Sequence, residues 1–401
     1  VAPSALMALA FIYMKSENAQ VASKISIPTF FYEVENCNPN HIVLKILAKN
    51  LILWSKITAT DRFISDQIPP LVKMIVESRI EDIYDKCYST FNVDEIDFSG
   101  ITLIYYNIIA GCSLSLAMKY AGSGDSKAKA IIVDEIKRLR KVKVVKTDFC
   151  SDRTAKGRLE LYNLFNLFSI HCLSLSIVMA GTMDAECLKL MRVIRKKLQF
   201  QYHSHYGFNM AIHMAIGFLG LGSGGYTFGK GDLDIAALLI SIYPHFPLDL
   251  NDNQYHLQAL RHLYVLAVKP NLFHSIDIDT GESARVKFKI ETDNDIGSAV
   301  QKLSQTPILL QGSSHWKSVA LLDPDYNSTK FSFDRFTDSF VPRLLFVRKK
   351  FSSELNKKAL ERLIRKRRMV SEDEIKGADL QKLFGNHLFK FFYKVLQKYS
   401  R

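Results

Sequence analysis

Three stretches of this chain carry no charged side chain: Phe98 to Met118, Leu161 to Met183 and Leu198 to Gly229, with histidine counted as neutral. A helix without a charged face has no side to give to water, so it must be surrounded by lipid or by protein. Each stretch is long enough to cross a bilayer. Against lipid stand Asn107, Asn163, Asn166, His171, His203, His205, Asn209 and His213, with many Ser and Gly, because such groups are costly in hydrocarbon without partners. The expectation is a set of helices packed on every side within a protein fold, with no membrane partner.

These stretches also share a repeated ending. Leu116-Ala117-Met118-Lys119-Tyr120-Ala121-Gly122-Ser123-Gly124-Asp125 aligns without gaps with Leu9 to Asn18, with Leu175 to Asp184 and with Ile216 to Gly225. In each copy an apolar helix rich in small residues runs into a short small-or-polar turn. A second helix follows in the middle copies, as at Ala185 to Ile194. The last two copies lie roughly 40 residues apart, the length of one helix pair, and His41 to Trp54 is a further candidate member. Glycine just past a helix end takes the left-handed backbone that other residues resist. Gly122, Gly181 and Gly222 suit that role, and Gly124, Gly224 and Gly225 complete the turns. Two copies depart from the pattern: Lys15-Ser16-Glu17-Asn18 has no glycine, and Thr182-Met183 stands where Ser-Gly is expected. The fold class read from this is mainly α, a helix-pair solenoid or partial toroid over residues 1–270, in which each pair buries its core against its neighbours.

Beyond residue 270 the pattern changes. Val286, Phe288 and Ile290 alternate with Lys287, Lys289 and Glu291, the period of a half-buried strand. Ile308–Leu310, Val319–Leu322, Phe331–Phe333 and Leu344–Val347 are further short strand candidates, so 271–350 reads as a mixed β-containing subdomain. Residues 351–401 return to helix, with Ser371 and Glu374 as a capping box, and are strongly basic. The net charge of +13 gathers in Lys137–Lys146, Arg192–Lys197, Arg348–Lys350 and Lys357–Arg368. Solvated helix faces explain these runs, and nucleic-acid binding is a secondary reading. Six cysteines without a CxxC pair suggest a reducing compartment, nucleus and cytoplasm. The chain opens on Val1-Ala2-Pro3 instead of Met, so a longer parent protein is expected.

No catalytic, cofactor-binding or metal-binding residue is expected. His203, His205 and His213 have no acidic neighbour between Leu198 and Lys230, whereas zinc wants a fourth ligand. Gly220 to Gly225 matches no phosphate-loop pattern. His171 and Cys172, adjacent on an apolar helix, point to different faces. Two readings stand open for Tyr243-Pro244-His245-Phe246-Pro247 and Tyr255 to His262. One is a partner-contact surface led by Tyr243, His245, Tyr255, His256 and Arg261, since Tyr and Arg dominate interface hot spots. The other is closure of the helical domain, with Pro244 and Pro247 ending a helix.

The turn Leu-Ala-x-x-x-x-Gly-Ser-Gly-Asp resembles the proteasome/cyclosome repeat. Tyr243 to Pro247, Asp252 to Ala267 and Pro270 to Thr280 are similar to the branch of that family formed by the largest subunit of the anaphase-promoting complex. The likeness covers residues 1 to about 282. It implies a non-catalytic scaffold in a multisubunit RING-type ubiquitin ligase. Its implied partners are a cullin–RING module, tetratricopeptide-repeat subunits, and coactivator or substrate-recognition subunits. The nearest alternative is a non-ATPase scaffold of the proteasome regulatory particle, which shares the repeat but not the Tyr243–Pro247 segment.

Overall fold

The computed structural model describes residues 3–77, 97–144, 158–201, 206–247, 249, 251–252, 256–293, 299–309, 316–328, 330–332 and 344–350. Tyr255, His203, His205 and the expected helices of 351–401 lie outside the described residues. The described part is mainly helical, with a few small sheets.

Helices α1 (Pro3–Ile12), α4 (Ile42–Ile52), α7 (Phe98–Lys119), α9 (Leu161–Val178) and α11 (Tyr206–Leu219) form a row, each packed on the next. Others lie against this row: α2 (Ala19–Ser23) on α4, α6 (Pro70–Glu77) on α7, α8 (Ser126–Leu139) on α9, and α10 (Ala185–Gln201) on α11. Two shorter helices, α3 (Phe31–Glu35) and α5 (Asp61–Ser65), complete the first half. The first two charge-free stretches are α7 and α9, and both are buried along most of their length. Either is long and apolar enough to cross a membrane, but each is wrapped by neighbouring helices instead. Full burial of a Leu or Ile side chain is worth about 1.5–3 kcal/mol, so this row dominates the stability of the helical part. Three of its buried hydroxyls bond their own helix: Thr102 Oγ1 donates to Phe98 O (2.7 Å), Ser115 Oγ to Gly111 O (2.7 Å) and Ser169 Oγ to Phe165 O (2.8 Å). Ser113 Oγ and Ser174 Oγ are buried without a partner among the described residues.

The third charge-free stretch is not one helix. It holds the end of α10, then α11, then a turn, then strand β3 (Tyr226–Phe228). Helix α12 (Asp232–Ser241) follows. Gln258–Ala267 is a 3-10 helix packed on α12. Strand β3 pairs antiparallel with β4 (Val268–Pro270).

The remaining strands have a core of their own. A two-residue parallel pair, β1 (Lys143–Val144) and β2 (Arg158–Leu159), lies earlier, among the helices. Strand β5 (Leu272–Asp277) pairs with β6 (Ser283–Ala284), with β9 (Ile308–Leu309) and, in parallel, with β12 (Leu344–Val347). A four-stranded antiparallel sheet has the order β11 (Lys330–Ser332), β10 (Trp316–Leu321), β7 (Lys287–Asp293), β8 (Ala299–Gln305). Phe273, Val286, Phe288, Ile290, Val319, Leu321, Leu345 and Val347 fill the core of this region. The alternation at 286–290 therefore points inward as read.

Candidate partner surface

The first three aligned turns adopt one backbone, and the fourth shares their two left-handed positions but adds a third at Ser223 (φ 56°). Their seventh and ninth residues are left-handed in every copy: Lys15 and Glu17 (φ 59° and 55°), Gly122 and Gly124 (61° and 64°), Gly181 and Met183 (73° and 48°), Gly222 and Gly224 (55° and 89°). The departures in sequence are not departures in structure. In the first three copies the same two N–H groups donate to carbonyls ending the next inner helix. Lys15 N reaches Leu51 O (2.8 Å) and Glu17 N reaches Ile52 O (3.0 Å). Gly122 N reaches Ile177 O (2.8 Å) and Gly124 N reaches Val178 O (2.9 Å). Gly181 N reaches Phe218 O (3.0 Å) and Met183 N reaches Leu219 O (2.9 Å). A helix leaves its last carbonyls without partners, and here the first three turns cap the next inner helices of the row, α4, α9 and α11.

The eighth and tenth residues are also interchangeable in role. Ser16, Ser123 and Thr182 hydroxyls donate back to Tyr13 O, Tyr120 O and Met179 O, at 2.7, 2.7 and 2.8 Å. Asn18, Asp125 and Asp184 then accept from backbone N–H groups that open α2, α8 and α10, as N-cap residues do. The fourth copy has Gly225 at that place, and no helix starts there. The chain instead runs back as a strap, Gly225 to Asp232, across the preceding turns. Thr227 Oγ1 lies 3.2 Å from both Gly122 O and Ala180 O. Lys15 Nζ donates to Lys230 O (3.2 Å), pairs with Asp232 (2.7 Å) and sits 4.8 Å from the Trp54 ring centre. A side chain at Gly181 would overlap the Tyr226 carbonyl oxygen, and one at Gly122 would meet Thr227 and the Phe228 backbone. Gly225 to Asp232 thus touches the turns of Lys15, Gly122 and Gly181 in one short run of chain. The strap was not visible in sequence, because its contacts are all long-range.

At the far end, Arg261 is 3% exposed. Its guanidinium donates to Ser241 O (3.2 Å), Tyr243 O (3.1 Å) and His245 O (2.6 Å), Nε donates to Gln258 (3.1 Å), and the group lies 5.2 Å from the Phe246 ring centre. Burial lowers its pKa to about 10. The expectation that Arg261 meets a partner is corrected: it is a fastener, spent on the carbonyls where α12 ends. Pro244, Phe246 and Pro247 are buried with it. Tyr243, His245 and His256 remain half-buried as a ring group, with Tyr243 centred 5.3 Å from His256 and 5.5 Å from His245. Burial, with help from Arg261, lowers the His256 pKa to about 4, and burial with His41 and Arg261 lowers that of His245. Burial raises the Tyr243 hydroxyl. All three rings are neutral near pH 7 and offer an aromatic, uncharged surface.

Elsewhere, burial pushes the Cys172 thiol up to about 12 and the neighbouring His171 down to about 4, which leaves that pair without a thiolate or an imidazolium. His213 Nε2 sits 3.0 Å from Arg195. Among the described residues no group of three or more His, Cys, Asp or Glu is placed to hold a metal.

A sequence profile of the family described as APC1 fifth domain matches residues 1–269. The chain belongs to the anaphase-promoting complex subunit 1 family. It is 34% identical over 345 residues to anaphase-promoting complex subunit 1 of Dictyostelium discoideum, covering 81% of this chain and 15% of that protein. It is 35% identical over 280 residues to the Homo sapiens subunit, covering 69% of this chain and 14% of that protein. It is also 30% identical over 330 residues to a protein of Emericella nidulans named negative regulator of mitosis, covering 82% and 15%. The chain thus spans about one-seventh of the length of these members of the family.

Proposed function

We propose that this chain is a non-catalytic scaffold portion of an anaphase-promoting complex subunit, holding other subunits of a RING-type ubiquitin ligase in a fixed geometry during the cell cycle. The observation that carries the reading is the strapped row of turns. Each of the first three turns caps the next inner helix, and the strap ties the fourth turn to the first. Such a unit resists bending, which is what a scaffold needs and an enzyme of loops and clefts does not. In this reading residues 1–270 are a helix-pair solenoid or partial toroid and 271–350 a β-containing subdomain. The partners are the cullin–RING module, the tetratricopeptide-repeat subunits and the coactivator or substrate-recognition subunits. The neutral rings of Tyr243, His245 and His256 are a contact surface within that assembly, which works in nucleus and cytoplasm.

The test is affinity purification of the full-length parent from dividing cells, with mass spectrometry of the proteins retained. A cullin, a RING subunit and tetratricopeptide-repeat subunits are the expected set. Proteasome ATPases in their place would transfer the chain to the regulatory-particle scaffold, and neither set would end the assembly reading.

A further inference from the structure

Helix α10 buries one face and, among the described residues, leaves the other exposed. Cys187, Met191 and Ile194 point into the core. On the opposite side Lys189, Arg192 and Lys196 are exposed and advance by one turn at a time, with Arg195 half-buried at the edge. Among the described residues no ion pair engages these four cations. The acids of α8 and α10 are already used: Asp134 pairs with Lys137 (3.1 Å), Glu135 with Arg138 (3.0 Å), and Asp184 and Glu186 both with Lys129 (2.9 and 2.8 Å). Arg195 is held at the edge by the 3.0 Å contact of its Nη1 with His213 Nε2. An arginine only donates, so this nitrogen accepts and the ring proton is on Nδ1. A surface concavity runs along this side of α10, lined by the four cations with Leu188 and Val193 between them. Val193 is 39% exposed.

We propose that this face of α10 is a docking surface for an acidic amphipathic helix of a partner protein. Charge complementarity gives the sign, since four uncompensated cations want carboxylates. The spacing gives the form. Cations one turn apart rise about 5.4 Å each, the rise at which a second helix presents Glu or Asp at every third or fourth position. The apolar atoms of Leu188 and Val193 lie among the charges, where the partner's apolar stripe would sit and where a phosphate backbone would find nothing to contact. The proposal is independent of the ligase reading.

The probe is a fluorescein-labelled synthetic helix with Glu at every third or fourth position beside a Leu stripe, titrated with the full chain by fluorescence anisotropy. Controls are a scrambled peptide of the same composition and a random-sequence DNA duplex. The patterned peptide is expected to bind more tightly than either control, and less tightly as salt rises. Arg192→Glu with Lys196→Glu is expected to weaken it by about tenfold or more. Val193→Asp should weaken it as well. Both variants change exposed residues, and an unaltered thermal melt confirms folding. Equal binding of the scrambled peptide, tighter binding of DNA, no binding of the patterned peptide, or no loss in the charge-reversed variant would each overturn the proposal.

Discussion

Replacing Gly181 with alanine separates two costs that the turn imposes. The residue has φ 73°, and a left-handed backbone costs a residue with Cβ about 1–2 kcal/mol. The added methyl would also overlap the Tyr226 carbonyl oxygen. That atom is backbone and cannot rotate away, so the strap must shift. Crowding of this kind costs about 1–3 kcal/mol, giving about 2–5 kcal/mol in all. Gly124 supplies the control. It has φ 64°, and a methyl there meets only Thr182 Cγ2 at 3.7 Å, an ordinary contact. Gly124→Ala should therefore lose the conformational part alone, about 1–2 kcal/mol. Thermal melts of both variants, at about 2–4 °C per kcal/mol for a domain this large, should place Gly181→Ala clearly below Gly124→Ala. Amide exchange should rise across Gly225 to Asp232 only in the former. Equal losses, with exchange in the strap unchanged, would refute the idea that Gly181 is reserved for the strap.

The same turn position predicts opposite signs elsewhere. Met183→Gly relieves a left-handed Met that is 53% exposed, and should stabilise by about 1 kcal/mol in denaturant titration. Lys15→Gly should destabilise despite the same relief, because it removes the bridge to Asp232 and Lys230. Arg261→Met leaves three carbonyls without a donor, and should cost about 2–4 kcal/mol, read as a lowered melting temperature with loss of the near-ultraviolet signal of Tyr243. A smaller loss in Arg261→Lys is expected, since one ammonium cannot span all three. His256 and His171 are both depressed to about 4 from 6.5. The unfolded chain binds more protons than the folded one between these values, so their contribution is full above about pH 6.5 and is lost as pH falls towards about 4. His256→Gln should flatten part of that slope in melts taken across the window.

What the sequence made legible was local. Helices α7 and α9 follow from the absence of charge, and their ends follow from Gly122 and Gly181. The alternation of Val286, Phe288 and Ile290 marks β7 because burial alternates along a strand. The β5 segment was harder. Leu272 to Asp277 buries Phe273, Ser275 and Asp277, and two of those three residues are polar, so no apolar period announces it.

The misreadings have one physical origin. A glycine signals freedom of the backbone, but the turn itself is defined by where its two N–H groups go. Lys15, Glu17 and Met183 take the left-handed conformation without glycine because two carbonyls of the next inner helix are waiting for donors. Satisfying those buried groups outweighs a strain of about 1–2 kcal/mol per residue. Lys15 is compensated a second time by Asp232, far along the chain, and that pairing could not be foreseen from any local pattern. The same holds for Arg261. As a residue type it suggests a surface hot spot, but three carbonyls left by Ser241, Tyr243 and His245 draw it inward. Residue type limits what a side chain can do. The unsatisfied backbone groups around it decide which of those things it does, and in this fold they lie mostly at helix ends.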